Sequence, residues 1–246
     1  GIPYKLVGGF RFYERKEIKD IISFLRFCFN PKDELSLDRI LNIPPRKMGP
    51  KAKAELHSFA KESALTIGEF LIAAYVCENS ENLKESGFGK DLIDSLSASK
   101  DKWKKYLSVI SLFGNLYFYS KGKELIETID YLLERVRYIE WFDDGSEESI
   151  MKKDNITELK NVASSYSKKH GISSMEVFLN EINIIEQEQT KNQDGTGNYL
   201  NLMTLHSSKG LEFDFVFIIG AEEGLLPHSR SFLEEEELEE ERRLCY

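Results

Sequence analysis

The stretch LMTLHSSKGLEF, residues 202–213, carries more hydrogen-bonding chemistry than a strand end requires. After an apolar run come hydroxyls at Thr204, Ser207 and Ser208, an imidazole at His206, an ammonium at Lys209, a turn residue at Gly210 and a carboxylate at Glu212. Hydroxyls, backbone N–H groups and a lysine suit phosphate oxygens, and a carboxylate suits a ribose hydroxyl. A histidine alone is more often a satisfied loop residue than a functional one, so the surrounding groups carry the reading of His206. A Ser/His hydrolase does not fit: neighbours in an extended strand point to opposite faces, and no G-x-S-x-G elbow is present.

Two further stretches have the residue types for phosphate binding. PPRKMGPKAKAEL, residues 44–56, sets Arg46, Lys47, Lys51 and Lys53 around Gly49 at the start of a helix. Glycine turns ahead of a helix N-terminus hold phosphates without reading bases. SKDKWKKYL, residues 99–107, mixes Lys100, Lys102, Lys104 and Lys105 with Trp103 and Tyr106. That mixture suits duplex backbone, and equally a solvated helix face with Trp103 in the core.

The elements that must position these groups fall into three regions. From Arg15 to Asn79 the pattern is helical, with Ile18, Ile21, Ile22, Leu25 and Phe29 at a period of about 3.6, and Thr66 with Glu69 forms a capping box. From about Leu83 to Gln189 every periodic segment is helical, most clearly the stripe Leu125, Ile129, Leu132, Leu133 and Val136, and Ser173 with Glu176 predicts a second box. KNQDGTGN, residues 191–198, is a polar joint, after which Leu200–Leu205 and Val216–Ile219 read as short buried strands, followed by a charged helix from near Phe232. Strands flanking a helical block predict an α/β domain with a helical insertion, the ligand crevice lying at the carboxyl ends of parallel strands.

Composition narrows the class. A chain of 246 residues, 41% hydrophobic, can bury a core, and its net charge of −9 excludes a uniformly basic nucleic-acid coat while permitting local basic patches. Cys28, Cys77 and Cys245 form no CxxC pair, which argues against structural zinc and disulfides and fits a reducing cytoplasm. No apolar run approaches the roughly 18 residues of a membrane span, so no membrane partner is expected. No G-x-x-x-x-G-K-[ST] loop and no Walker B strand occur, so the chain lacks the groups that grip a triphosphate and its magnesium. It opens on strand-like residues and closes inside a helical pattern, which suggests an excised fragment.

NLMTLHSSKGLEFDFVFIIGAEEGLLPH resembles motif V and the following segment of the UvrD/Rep/PcrA family of superfamily 1A DNA helicases, and EEERRLCY resembles the opening of that family's motif VI. GIPYKLVGGFRFYERKEIKDIISFLR is similar to the segment after motif IV, and LNIPPRKMGPKAKAEL fills the place of a P-x-R-G-I-G stretch, with Lys47 and Met48 where the family has glycine and isoleucine. The resemblance implies a C-terminal helicase fragment, α/β in class, in which residues 1–85 and 192–246 form an incomplete RecA-like domain 2A and residues 86–191 a mostly α-helical domain 2B. It implies an ATP-dependent helicase that translocates 3′ to 5′ on single-stranded DNA and unwinds duplex in repair or replication. ATP and Mg2+ would serve the full-length enzyme, with neither bound to the fragment, and the N-terminal 1A and 1B domains of the same polypeptide would complete the cleft. By resemblance, Glu212 and Gly210 would lie on the ATP side, and Thr204, His206, Ser207 and Lys209 would hold single-stranded DNA. Arg46, Lys47, Gly49 and Lys51 would meet duplex DNA, and no residue is expected to bind a metal. Two alternatives remain: a fragment of an AddA/RecB-type helicase–nuclease, and a non-catalytic nucleic-acid-binding module.

Overall fold

Tyr4 and Val7 are residue types that favour extended backbone, and YKLV forms β1 (Tyr4–Val7). β1 pairs in parallel with β2 (Leu200–Met203), in register Tyr4 with Leu200 through Val7 with Met203. The computed structural model describes residues 4–7, 11–79, 82–191, 200–203, 205–208 and 211–222, with Glu239 and Arg242. The chain divides into two compact units, one of residues 1–12 and 193–246, the other of residues 13–192.

In the first unit β2 ends at Met203, and residues 205–208 turn into the short helix α14 (Leu205–Ser208), where the Ser208 hydroxyl donates to the Leu205 carbonyl at 2.7 Å. The strand therefore stops short of Leu205, and His206 and Ser207 lie in a helical turn rather than in extended backbone. Val216–Ile219 does not form the expected buried strand. These residues are irregular and open to solvent, Phe217 at 82% and Ile219 at 88% exposure. A strand buried on both faces needs neighbours in its sheet, and among the described residues the only ladder is β1 with β2. Of the expected helix from Phe232 only Glu239 and Arg242 are described, both helical, and of the joint at 191–198 only Lys191, which ends α13 (Ser174–Lys191); the other residues of both lie outside the described residues.

The second unit is helical. Its elements are α2 (Lys16–Phe29), α3 (Glu34–Ile40), α4 (Pro50–Glu62), α5 (Ile67–Glu78), α6 (Leu83–Ser86), α7 (Lys90–Ala98), α8 (Lys100–Trp103), α9 (Leu107–Ser120), α10 (Leu125–Val136), α11 (Tyr138–Phe142), α12 (Glu147–His170) and α13 (Ser174–Lys191), while α1 (Arg11–Glu14) straddles the division. The predicted stripe on α2 is buried at Ile18, Ile21, Ile22 and Leu25, and Phe29 at its end is 46% exposed. The α10 stripe, Leu125 to Val136, is buried throughout.

The capping box forms at α5, where the Glu69 carboxylate accepts from the Thr66 N–H at 3.0 Å and Thr66 Oγ1 accepts from the Glu69 N–H at 3.2 Å. At α10 another box uses Glu124 and Glu127, while Ser174 and Ser167 accept from the N–H groups of Leu125 and Ile126 at 2.8 and 3.1 Å. Two serines from other helices thus satisfy donors that a buried helix start would leave orphaned. Helices α5 and α9 approach closely at Gly114, where a Cβ would sit 2.1 Å from Tyr75 Cγ.

The division of units departs from the domain boundary expected near residue 85. Helices α2 to α5 pack with α9, α10, α12 and α13, so the helices between 13 and 85 share one core with those that follow. The physical reason lies on α2, whose face from Ile18 to Phe27 is covered by those later helices, with Phe24 and Phe27 at 6.1 and 5.0 Å from Phe113 of α9. A buried polar knot adds to this join: Asp20 accepts from Arg39 Nε and from the Tyr138 hydroxyl, each at 2.7 Å, with its own side chain fully enclosed.

Candidate nucleic-acid interface

The loop between α3 and α4 is built by its own side chains. Asn42 Oδ1 accepts from the backbone N–H groups of Arg46 at 2.8 Å and Met48 at 3.1 Å, which draws the chain into a tight turn. Between those two donors Lys47 adopts left-handed backbone, φ 61°. That conformation favours glycine, because an L side chain crowds the following carbonyl. Met48 anchors the turn by burial, and Lys47 and Lys51 project into solvent.

Arg46 turns the other way. Its Nη1 donates to the Ile40 carbonyl at 3.2 Å, and its guanidinium stands 6.0 Å from the centre of the Phe24 ring. Burial lowers its pKa to about 10, which leaves it charged at neutral pH. Arg46 therefore supports the loop from beneath rather than lining its outer face.

Gly49 is the N-cap of α4, with Pro50 at N1, no side chain capping the start and no acidic residue in the first turn. Lys53 N–H donates to the Gly49 carbonyl, so the N–H groups of Lys51 and Ala52 are the donors that the helix itself leaves free. A Cβ at Gly49 would meet nothing within 4 Å. The glycine thus leaves an open approach to this positive helix end.

The second basic stretch resolves into a core residue and a row of ion pairs. Trp103 is buried, edge-on to Phe70 at 6.3 Å, with its indole N–H donating to the Leu96 carbonyl at 3.3 Å. Lys100 pairs with Glu78 at 2.6 Å, Lys102 with Glu62 at 3.6 Å and Lys104 with Asp101 at 2.7 Å. Lys105 pairs with Glu55 of α4, and the Tyr106 hydroxyl donates to the same carboxylate at 2.7 Å.

The two stretches meet. Lys47, Gly49, Pro50, Lys51, Ala52 and Glu55 from one, and Lys105 and Tyr106 from the other, line a single open groove of about 430 Å3. Among the described residues neither Lys47 nor Lys51 has an ion pair, whereas Lys53 pairs with Asp38. The spacing of Lys51 and Glu55, four apart on one helix, was a sequence signal for a shared face. The arrival of Lys105 and Tyr106 beside them had no such signal.

In the first unit Glu212 is exposed in the irregular segment after α14. His206 and Ser207 lie within α14, and Thr204, Lys209 and Gly210 lie outside the described residues. Among the described residues no cluster of His, Cys, Asp or Glu is placed to hold a metal ion, and no helix is long and apolar enough to cross a membrane.

The chain belongs to the UvrD-like helicase C-terminal domain family, whose profile matches residues 1–246. It is 33% identical over 250 residues to the ATP-dependent DNA helicase PcrA of Staphylococcus epidermidis, and 34% identical over 251 residues to that of Bacillus subtilis. Each alignment covers all of this chain and 31% of the relative, so the chain spans about a third of the length of those proteins.

Proposed function

We propose that this chain is the C-terminal part of an ATP-dependent DNA helicase that moves 3′ to 5′ along single-stranded DNA and separates duplex in repair or replication. The observation that carries this reading is the unbroken correspondence of residues 1–246 with the UvrD-like helicase C-terminal domain. The unit of residues 1–12 and 193–246 is the RecA-like domain 2A, and the helical unit of residues 13–192 is the inserted domain 2B. The self-contained core of the helical unit supports crossings at those two places.

Roles follow residue by residue. Glu212 and Gly210 face the nucleotide, Glu212 through the sugar, and ATP with Mg2+ is gripped mainly by the 1A domain of the full-length polypeptide. Thr204, His206, Ser207 and Lys209 hold the single strand, so that one turn senses nucleotide on one side and DNA on the other. Closure of the cleft on ATP then moves the strand. Lys47, Gly49 and Lys51 contact duplex backbone from the groove, with free N–H groups and point charges that read no base.

The experiment has two arms. The chain purified alone is expected to bind duplex DNA with steep salt dependence and to show no DNA-stimulated ATP hydrolysis, since it has no P-loop lysine. Turnover that disappears in Glu212→Ala would overturn this division of labour. In the full-length enzyme, Glu212→Ala should reduce unwinding more than single-strand binding, and equal losses would make Glu212 a support residue instead.

A further inference from the structure

The groove at the start of α4 contains one anionic group, and it stands among the cations. Glu55 accepts from Lys105 and from the Tyr106 hydroxyl, two groups that reach it from a segment 50 and 51 positions away. Lys51, one turn earlier on α4, adds its field to the same carboxylate, which the hydrogen bonds from Lys105 and Tyr106 and the nearby charges hold below the usual carboxylate range. Lys105 is correspondingly raised, first by its bond to Glu55. An ammonium and a phenol hydroxyl converge on one carboxylate oxygen, Glu55 Oε2, with a second ammonium on the preceding helical turn, and a phosphate diester would also accept from these donors.

We propose that Glu55 is a built-in stand-in for a DNA phosphate, occupying the donors of Lys105 and Tyr106 until a backbone phosphate of duplex DNA displaces it. The inference rests on the reading of this groove as a duplex-contact surface. It adds a second wall to that surface, Lys105 and Tyr106, and a residue that sets how tightly the surface holds.

In the unliganded chain Lys105 and Glu55 neutralise each other, so the groove's free charge is that of Lys47 and Lys51 alone. As a phosphate enters beside the Lys51 N–H, it meets the Glu55 carboxylate as a like charge and the Lys105 ammonium as an opposite one. Rotation of the Glu55 side chain, 30% exposed, away from its partners transfers Lys105 to the phosphate. The exchange replaces one ion pair by another and so weakens net binding relative to a groove without the carboxylate. A clamp of this kind grips backbone reversibly, which a surface that DNA must slide past requires.

The test compares the chain with Glu55→Gln, Glu55→Gln/Lys105→Gln, Lys47→Gly and Lys51→Gln by fluorescence anisotropy on a labelled blunt duplex. Thermal melts confirm that each variant folds. Glu55→Gln retains an acceptor for Tyr106 and is expected to bind about fivefold tighter at low salt, where surface charge is least screened. Its plot of log affinity against log salt should steepen by about one, because Lys105 then turns to the phosphate without freeing a carboxylate that takes up a counterion. The double variant should return both values to those of the wild type. If Glu55→Gln binds no tighter, or its salt slope is unchanged, while Lys47→Gly and Lys51→Gln weaken binding, the stand-in role fails and the duplex reading survives. If neither the wild type nor Glu55→Gln binds duplex, both fall together.

Discussion

At the scale of single residues, Lys47 shows how a site position and a conformational position coincide. The left-handed turn held by Asn42 costs a non-glycine residue about 1 kcal/mol, and Lys47 occupies it at φ 61°. Lys47→Gly should therefore leave the fold intact or raise its stability by up to about 1 kcal/mol, while lowering duplex affinity and reducing the salt slope by about one. Urea unfolding and anisotropy measured on the same preparation check both halves.

Tyr138 gives the opposite case, a residue with structure as its whole task. Its hydroxyl donates to Asp20 at 2.7 Å, and burial followed by that bond pushes its pKa well up. Because the folded-state value is raised, the contribution of the protonated phenol is fully present below its ordinary pKa of about 10 and fades as pH climbs beyond it. Tyr138→Phe should cost about 1–2 kcal/mol at neutral pH, and the variant should lose less stability than the wild type when urea titrations are repeated at about pH 11.

At the scale of elements, the caps and contacts differ in how far they could be foreseen. Thr66 and Glu69 stand three apart before an apolar run, and the box they predict forms. The start of α10 depends on Ser174 and Ser167, whose hydroxyls come from 49 and 41 positions further along the chain. Ser174→Ala should leave the buried Leu125 N–H without an acceptor and cost about 1–3 kcal/mol, seen as a lower thermal midpoint without loss of helical signal at low temperature. Gly114 is constrained by space: its backbone lies against the Tyr75 ring, so Gly114→Ala should destabilise by about 1–3 kcal/mol or more as α5 and α9 are pushed apart. The Val216–Ile219 run departs from the expected strand for a related reason. An apolar run and a buried strand are alike in sequence, and whether neighbours flank it is not a local property.

At the scale of the whole molecule, residues 13–192 have their own core, from Ile18 on α2 to Ile182 on α13. Expressed without the remainder, they should give a helical circular dichroism spectrum and a single cooperative thermal transition. A broad, non-cooperative melt would show that the helical unit needs the other for its fold. The division itself was half legible. KNQDGTGN marks a joint by polarity and glycine, close to the division at 192 and 193, whereas nothing in the composition marks the other division, between Phe12 and Tyr13 inside α1.

Local chemistry explains which parts the sequence determined. Helix periodicity on α2 and α10, the box at Thr66, the strand at Tyr4–Val7 and the glycine-marked start of α4 depend on residues a few positions apart, and the motif segments that tie the chain to its family are continuous runs. Tertiary structure decided the rest. Arg46 and Lys47 are adjacent and equally basic, yet one lies over Phe24 and the other in solvent, because a left-handed residue between two N–H groups bound by Asn42 reverses the direction of the chain. Lys105 carries the same charge as its neighbours, and only the packing of Trp103 against Phe70 brings it to Glu55 at the mouth of the groove. Side-chain direction and partnership over 50 positions are set by which surfaces bury each other, a property of the folded chain and of no segment within it.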